Sequence, residues 1–264
     1  MKLMRFLYQN RARYGVLEGE TVRSLATGPF DGGWNPTAPE YDGGAYALSA
    51  VKVLVPCEPT KYLVVGMNYY DLAASVGAPV PESPIILTRP GTSVIADGED
   101  IIVPRMACGI KEGRGMQFEA EVGVVIGRRC KHARAENAAD YILGYTCTND
   151  LAFDGAFGKD FTLCKGADTF GPTGPFIETE FDPHSARIRS WVNGELRQNG
   201  SSDQMIFKVP ALIEYISSYL TLFPGDVIAT GTPAGNRRFI EGDRIKIEID
   251  GLGALENGSV ADEW

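Results

Sequence analysis

The chain reads as an α+β protein, mainly β, on three observations. Its 264 residues include 31 glycines and 16 prolines, which implies frequent turns between short elements. Apolar, β-branched segments bounded by turn residues recur along it, whereas helical periodicity is confined to two stretches. The strand candidates follow one another without βαβα alternation, which argues against a doubly wound dinucleotide-binding fold.

Residues 1–57 read as a small β-rich section and residues 58–264 as the main, catalytic unit. Near the start, Tyr14-Gly15-Val16-Leu17 is the return strand of a first hairpin. Arg11 and Arg13 precede it, but no apolar leader core follows. The Gly-, Pro- and Asp-rich stretch 28–44 reads as loop. Strands are then expected at 62–66, 84–88, 100–103, 119–126, 143–149, 175–179, 188–192, 226–230 and 244–249. Helices are expected at 135–141 and 210–222, the second with Leu212, Ile213, Ile216 and Leu220 on one stripe.

The formal net charge is −9 and no basic cluster offsets it, so nucleic acid and anionic membranes are poor partners. No segment reaches the roughly 20 apolar residues that a membrane helix needs. The five cysteines are odd in number and none has Cys-x-x-Cys spacing, which points to a reduced, cytoplasmic setting and not to a disulfide framework.

The chemistry concentrates at Phe118-Glu119-Ala120-Glu121, just before the run Val122-Gly123-Val124-Val125-Ile126. Residues two apart on a strand share a face, so Glu119 and Glu121 crowd two carboxylates together. Asp150 ends another strand candidate and adds a third. The three would form an all-oxygen site suited to Mg²⁺, Mn²⁺ or Ca²⁺. Only His132 and His184 exist, so a histidine-based zinc site is disfavoured. The Glu-x-Glu pair alone is equally compatible with solvated acids on an edge strand. Lys165 beside a metal could hold a carboxylate or stabilise an enolate, or be a surface lysine. Thr232 in Thr230-Gly231-Thr232-Pro233 could bind a carboxylate or belong to a structural turn.

Seven blocks in order resemble the fumarylacetoacetate hydrolase family: VGMNYYD (65–71), FEAEVGVVIG (118–127), GYTCTND (144–150), KGADTFGPTGP (165–175), VNGELRQ (192–198), QMIF (204–207) and PGDVIATGTPAG (224–235). The resemblance implies a mixed β-roll catalytic fold, a homodimer, and Mg²⁺ or Mn²⁺ held by Glu119, Glu121 and Asp150. It puts the substrate-binding lysine at Lys165 and the late threonine at Thr232, and it makes Asn68 and Tyr69 substrate-binding residues. The family acts on 2-oxo acids and β-diketo acids by C–C hydrolysis, decarboxylation or keto–enol proton transfer.

Three departures qualify this. The family's hydrolases carry histidine and glutamate where this chain has Leu72 and Ser75. That pair activates water, and general-base catalysis contributes roughly 10²–10⁴-fold. The arginine and glutamine common after the aspartate are replaced by Phe153 and Ala156. The segment 105–115 is longer than usual and carries Gly109, Gly113 and Gly115, so it reads as a lid or a solvated loop. Lys111, Glu112 or Arg114 in it could supply a replacement acid–base group, with Glu112 the catalytic candidate beside Lys165. The expected function is divalent-metal-dependent enolate chemistry on a 2-oxo acid or 1,3-dicarbonyl compound, by isomerisation, tautomerisation or decarboxylation. A C–C hydrolase with a replacement base is the alternative, and a non-catalytic metal-binding homologue the second.

Overall fold

The strand Ala120–Ile126 is buried along its whole length, as a β-branched run covered on both faces should be. A computed structural model describes residues 1–32, 34–110, 115–156, 160–236 and 238–263. Ala120–Ile126 lies inside a sheet of 12 strands. The path runs Tyr41–Ala47, Thr21–Leu25, Arg11–Glu18, Lys2–Tyr8, Gly171–Glu178, Ile142–Asn149, Ala120–Ile126, Val227–Ala229, Tyr62–Gly66 and Ile85–Arg89, with Lys52–Leu54 and Val94–Ile95 attached at its side. The N-terminal strands thus extend the large sheet, since Lys2–Tyr8 pairs with Gly171–Glu178.

The faces of Ala120–Ile126 follow the period-2 rule. Ala120 and Val122 pack with Ile188, Ile247 and Ile249 of a second, five-stranded sheet. Val124 and Ile126 pack under Leu212, Ile213 and Ile216, which belong to α3 (Val209–Tyr219). Glu121 and Val125 stand on the other face. A third sheet is formed by Ala152–Phe153, Met116–Gln117 and Arg238–Phe239, and its central strand lies just before Ala120–Ile126 in the chain. All five cysteines are free thiols, and no described helix is long and apolar enough to cross a membrane.

The structure differs from the sequence expectations in places. Ala135–Tyr141 is a 3-10 helix, and Tyr41–Ala47 is a strand that takes the end of the expected loop. Glu119 lies one residue before its strand. Two helices, α1 (Tyr70–Val76) and α2 (Phe161–Lys165), were not expected. Each is too short to display an apolar period. α1 ends on Gly77 in the left-handed conformation, and α2 starts on Asp160, whose carboxylate accepts the Leu163 N–H at 3.0 Å.

Candidate metal centre and active site

Register brings the three acids together. Ala120 pairs with Asn149 and Glu121 with Thr148, so Asp150 emerges beside the start of the glutamate strand. Its N–H donates to the Glu119 carbonyl at 2.9 Å. One carboxylate oxygen from each of Glu119, Glu121 and Asp150 lies within 4.8 Å of the others. Such a convergence of oxygen donors fits a hard divalent cation.

Each carboxylate accepts hydrogen bonds from the surrounding structure, and Lys165 bridges two of them. Glu121 accepts the Gly231 N–H at 2.8 Å. Gly231 has φ +95°, and an added Cβ would meet the Asn68 Cβ at 2.8 Å, so this approach requires glycine. Lys165, at the end of α2, donates from Nζ to Glu119 Oε2 at 2.6 Å and to Asp150 Oδ2 at 2.5 Å. Arg89, buried at the end of Ile85–Arg89, donates to Asp150 Oδ1 and to the Lys165 carbonyl, and to the Leu151 carbonyl at 2.5 Å. Asn236 donates to Glu119 Oε1 at 3.2 Å. Three carboxylates face two cations, Arg89 and Lys165. With all three acids ionised, as metal ligation requires, one negative charge is left over in the buried site, and a bound cation would balance it.

The proton affinities follow from this. Burial drives the Glu121 carboxyl well above its usual range, and the Asp150 and Glu119 charges add to it. Burial also raises Glu119, against the pull of Lys165. Burial acts upward on Asp150 too, but Arg89 and Lys165 outweigh it and hold the carboxyl at about 2. Burial disfavours the Lys165 ammonium, yet Asp150 and Glu119 prevail and raise its pKa. The folded metal-free protein therefore keeps protons on Glu119 and Glu121 that the unfolded chain loses near pH 4.5. The proton excess of the folded state makes its stability fall as pH rises from 4.5 through the raised pKa values. Divalent metal is expected to displace these protons, so its affinity rises with pH across that window. Calorimetric titration with Mg²⁺ in two buffers of different ionisation enthalpy checks this. A pH-independent affinity without proton release would contradict it.

The remaining sequence candidates take other positions. The side chain of Asn68 donates to the Thr230 and Phe207 carbonyls at 2.7 and 3.1 Å and accepts the Phe207 N–H at 2.8 Å. It therefore ties three segments together behind the site. Tyr69 is fully buried in the apolar cluster with Leu72, Ala120 and Val122. The Thr232 hydroxyl donates to the Ala120 carbonyl at 2.9 Å and accepts from Gln198 Nε2 at 2.8 Å. Its proton is thus committed to the backbone of the glutamate strand. Leu72 is buried on α1, and the Ser75 hydroxyl donates to the Leu72 carbonyl at 2.8 Å. Phe153 and Ala156 belong to an apolar cluster with Met116, Phe118 and Phe239. Glu112, with Lys111 and Arg114, lies outside the described residues.

Arg89, Gly231, Asn236 and Gln198 were missed in the sequence. Gly231 and Gln198 lie in conspicuous blocks. Arg89 and Asn236 carry no local signal, because their partners are 61 and 117 residues away.

Comparison with known proteins agrees with this architecture. Residues 61–260 match the family described as fumarylacetoacetate (FAA) hydrolase C-terminal, and residues 1–56 match one described as Rv2993c-like, N-terminal. The structure of a 5-carboxymethyl-2-hydroxymuconate delta-isomerase from Mycobacterium smegmatis is similar, with TM-score 0.88 and 35% identity, covering 99% of this chain and 100% of that one. A maleylpyruvate hydrolase from Sphingobium sp. SYK-6, solved with manganese(II) and pyruvate, has TM-score 0.80 and 27% identity, covering 100% of both chains. The Xenopus laevis mitochondrial oxaloacetate tautomerase fahd2 is 39% identical over 224 residues, 79% of this chain and 68% of that protein. By the span of the family match, the chain belongs to the fumarylacetoacetate hydrolase family.

Proposed function

We propose that this protein catalyses keto–enol proton transfer on a 2-oxo acid, as an isomerase or tautomerase. Decarboxylation through the same enolate is the neighbouring outcome. The observation that carries this reading is the convergence of the acidic triad on Lys165, in a chain whose buried Leu72 stands where the family's hydrolases carry histidine. Asp71, the acid of α1, accepts the Leu72 N–H at 2.8 Å and the Ala234 N–H at 3.2 Å. Both of its carboxylate oxygens are thus committed to backbone donors.

Glu119, Glu121 and Asp150 would hold Mg²⁺ or Mn²⁺. The bound ion would polarise the substrate carbonyl and stabilise negative charge on its oxygen. Two of the three Lys165 protons go to Glu119 and Asp150, which leaves the third for a substrate oxygen. Lys165 thereby orients the substrate and stabilises the negative charge that develops on its enolate oxygen. We assign the carbon-bound proton to Glu112 as a proposal from sequence. The names of two relatives, a delta-isomerase and an oxaloacetate tautomerase, support the reaction class. The pyruvate and manganese(II) in a third relative's structure support the substrate head and the ion. A homodimer is part of the proposal.

A second reading, C–C hydrolysis, is favoured by the name of that third relative and opposed by Leu72. The test is to incubate the protein and Mg²⁺ with oxaloacetate and, separately, with an acylpyruvate. Accelerated relaxation of the enol absorbance of oxaloacetate is expected, with no cleavage of the acylpyruvate. Release of pyruvate and a free acid at enzymatic rates would overturn the reading.

A further inference from the structure

The small sheet beside the triad carries a guanidinium that the chemistry above does not use. Its central strand sets Met116 opposite Phe153 and Phe239, and Gln117 opposite Ala152 and Arg238. Cross-strand partners share a face. Met116, Phe153 and Phe239 are packed into the apolar cluster with Phe118 and Leu151, so Gln117 and Arg238 stand on the opposite face. That face is continuous with the acids. Asn236 Nδ2 donates both to Gln117 Oε1 at 3.4 Å and to Glu119 Oε1 at 3.2 Å. One strand across and two residues along puts the Arg238 backbone roughly 7–9 Å from that of Glu119.

Arg238 is held still from one side only. Its Nη2 donates to Asp154 Oδ2 at 2.7 Å, an oxygen that also accepts Gln117 Nε2 at 2.7 Å. Its Nη1 is buried without a hydrogen-bond partner among the described residues. A guanidinium presents its donors as a rigid planar fork suited to carboxylates, and a buried donor left unpaired is unfavourable. Asp154 therefore orients the fork and leaves one arm free on the side chain's own face of the sheet.

We propose that Arg238 is a specificity-determining residue that binds the distal carboxylate of a dicarboxylic 2-oxo acid, while the triad and Lys165 take the 2-oxo acid head. This rests on the proposed function. It also accounts for a site in which Phe153 and Ala156 are apolar, because the charge for the far end of the substrate comes from the neighbouring strand. The competing role is a structural clasp, in which Arg238 only ties its strand to Asp154.

The experiment compares two ligands of equal chain length on the Mn²⁺-loaded protein by calorimetry. They are 2-oxoglutarate and 2-oxopentanoate, which lacks the distal carboxylate; oxalate serves as a probe of the head site. The wild-type protein is expected to prefer 2-oxoglutarate by roughly 10- to 100-fold. Arg238→Gln, which can still hydrogen-bond Asp154, is expected to erase that preference. Arg238→Lys, tested in parallel should the glutamine variant fold poorly, is expected to restore part of it. Equal weakening of both ligands in the variants, or a preference that survives Arg238→Gln, would overturn the assignment. Oxalate binding without any wild-type preference would also overturn it and leave the proposed function standing. Absence of oxalate binding would remove the proposed function and this inference together.

Discussion

Asp150→Ala is expected to abolish divalent-metal binding and to destabilise the fold by about 3–5 kcal/mol. Asp150 supplies one of the three converging oxygens and is the carboxylate shared by Arg89 and Lys165. Its removal leaves Lys165 paired with Glu119 alone and strips Arg89 of the acid it is paired with, and uncompensated buried charge is among the most costly defects a fold can carry. The pH dependence gives a second signature. Asp150 has a folded pKa of about 2 against an ordinary 3.8. Its contribution is therefore fully present above 3.8 and is lost as pH falls through about 2. The variant should lack this acid limb. Urea unfolding at pH 7 and at lower pH, with metal titration alongside, measures both. An unchanged midpoint with metal still bound would show that Asp150 is not the centre of the cluster.

Lys165→Met is expected to lower kcat by about 10²–10³-fold, the range for removing one preorganised donor to a developing oxyanion, while metal binding persists or tightens. The ammonium sits 2.6 Å from Glu119 and 2.5 Å from Asp150, so it competes electrostatically with any cation held by the same acids. Methionine keeps much of the side-chain volume and removes that competition. The two readouts moving in opposite directions distinguish a catalytic role from a structural one. Metal affinity falling together with kcat would instead make Lys165 a prop for the triad. An unchanged kcat would remove it from the chemistry altogether.

Glu119 and Glu121 were legible in the sequence because acids two residues apart at the head of a β-branched run are hard to accommodate without a counter-charge. Asp150 was legible as the polar end of the neighbouring strand, and the register of Ala120 against Asn149 is what joins them. Lys165 became a candidate of weight only through the order of the blocks, since nothing in Cys164-Lys165-Gly166 separates a buried lysine from a surface one. Arg89 was invisible for a related reason. The strand expected at 84–88 runs to Arg89, and a charged residue at a strand end ordinarily faces solvent. Here the guanidinium turns inward to an aspartate 61 residues away. The polar atoms of Asn68 and Thr232 hydrogen-bond the backbone at Thr230, Phe207 and Ala120. Their residue types alone could not separate this use from the expected substrate binding. α1 and α2, of 7 and 5 residues, are too short to show periodicity and depend on tertiary packing for their stability.

The reaction turns on whether a carbon-bound proton is exchanged at this site without cleavage of a carbon–carbon bond. Solvent-deuterium incorporation at the carbon next to the ketone of a 2-oxo acid, followed by NMR in D₂O with and without Mg²⁺ or Mn²⁺, measures that step directly. The expected result is rapid incorporation that needs the divalent ion and is lost in Asp150→Ala. No deuterium incorporation above the uncatalysed rate, in the metal-loaded wild-type protein, would contradict it.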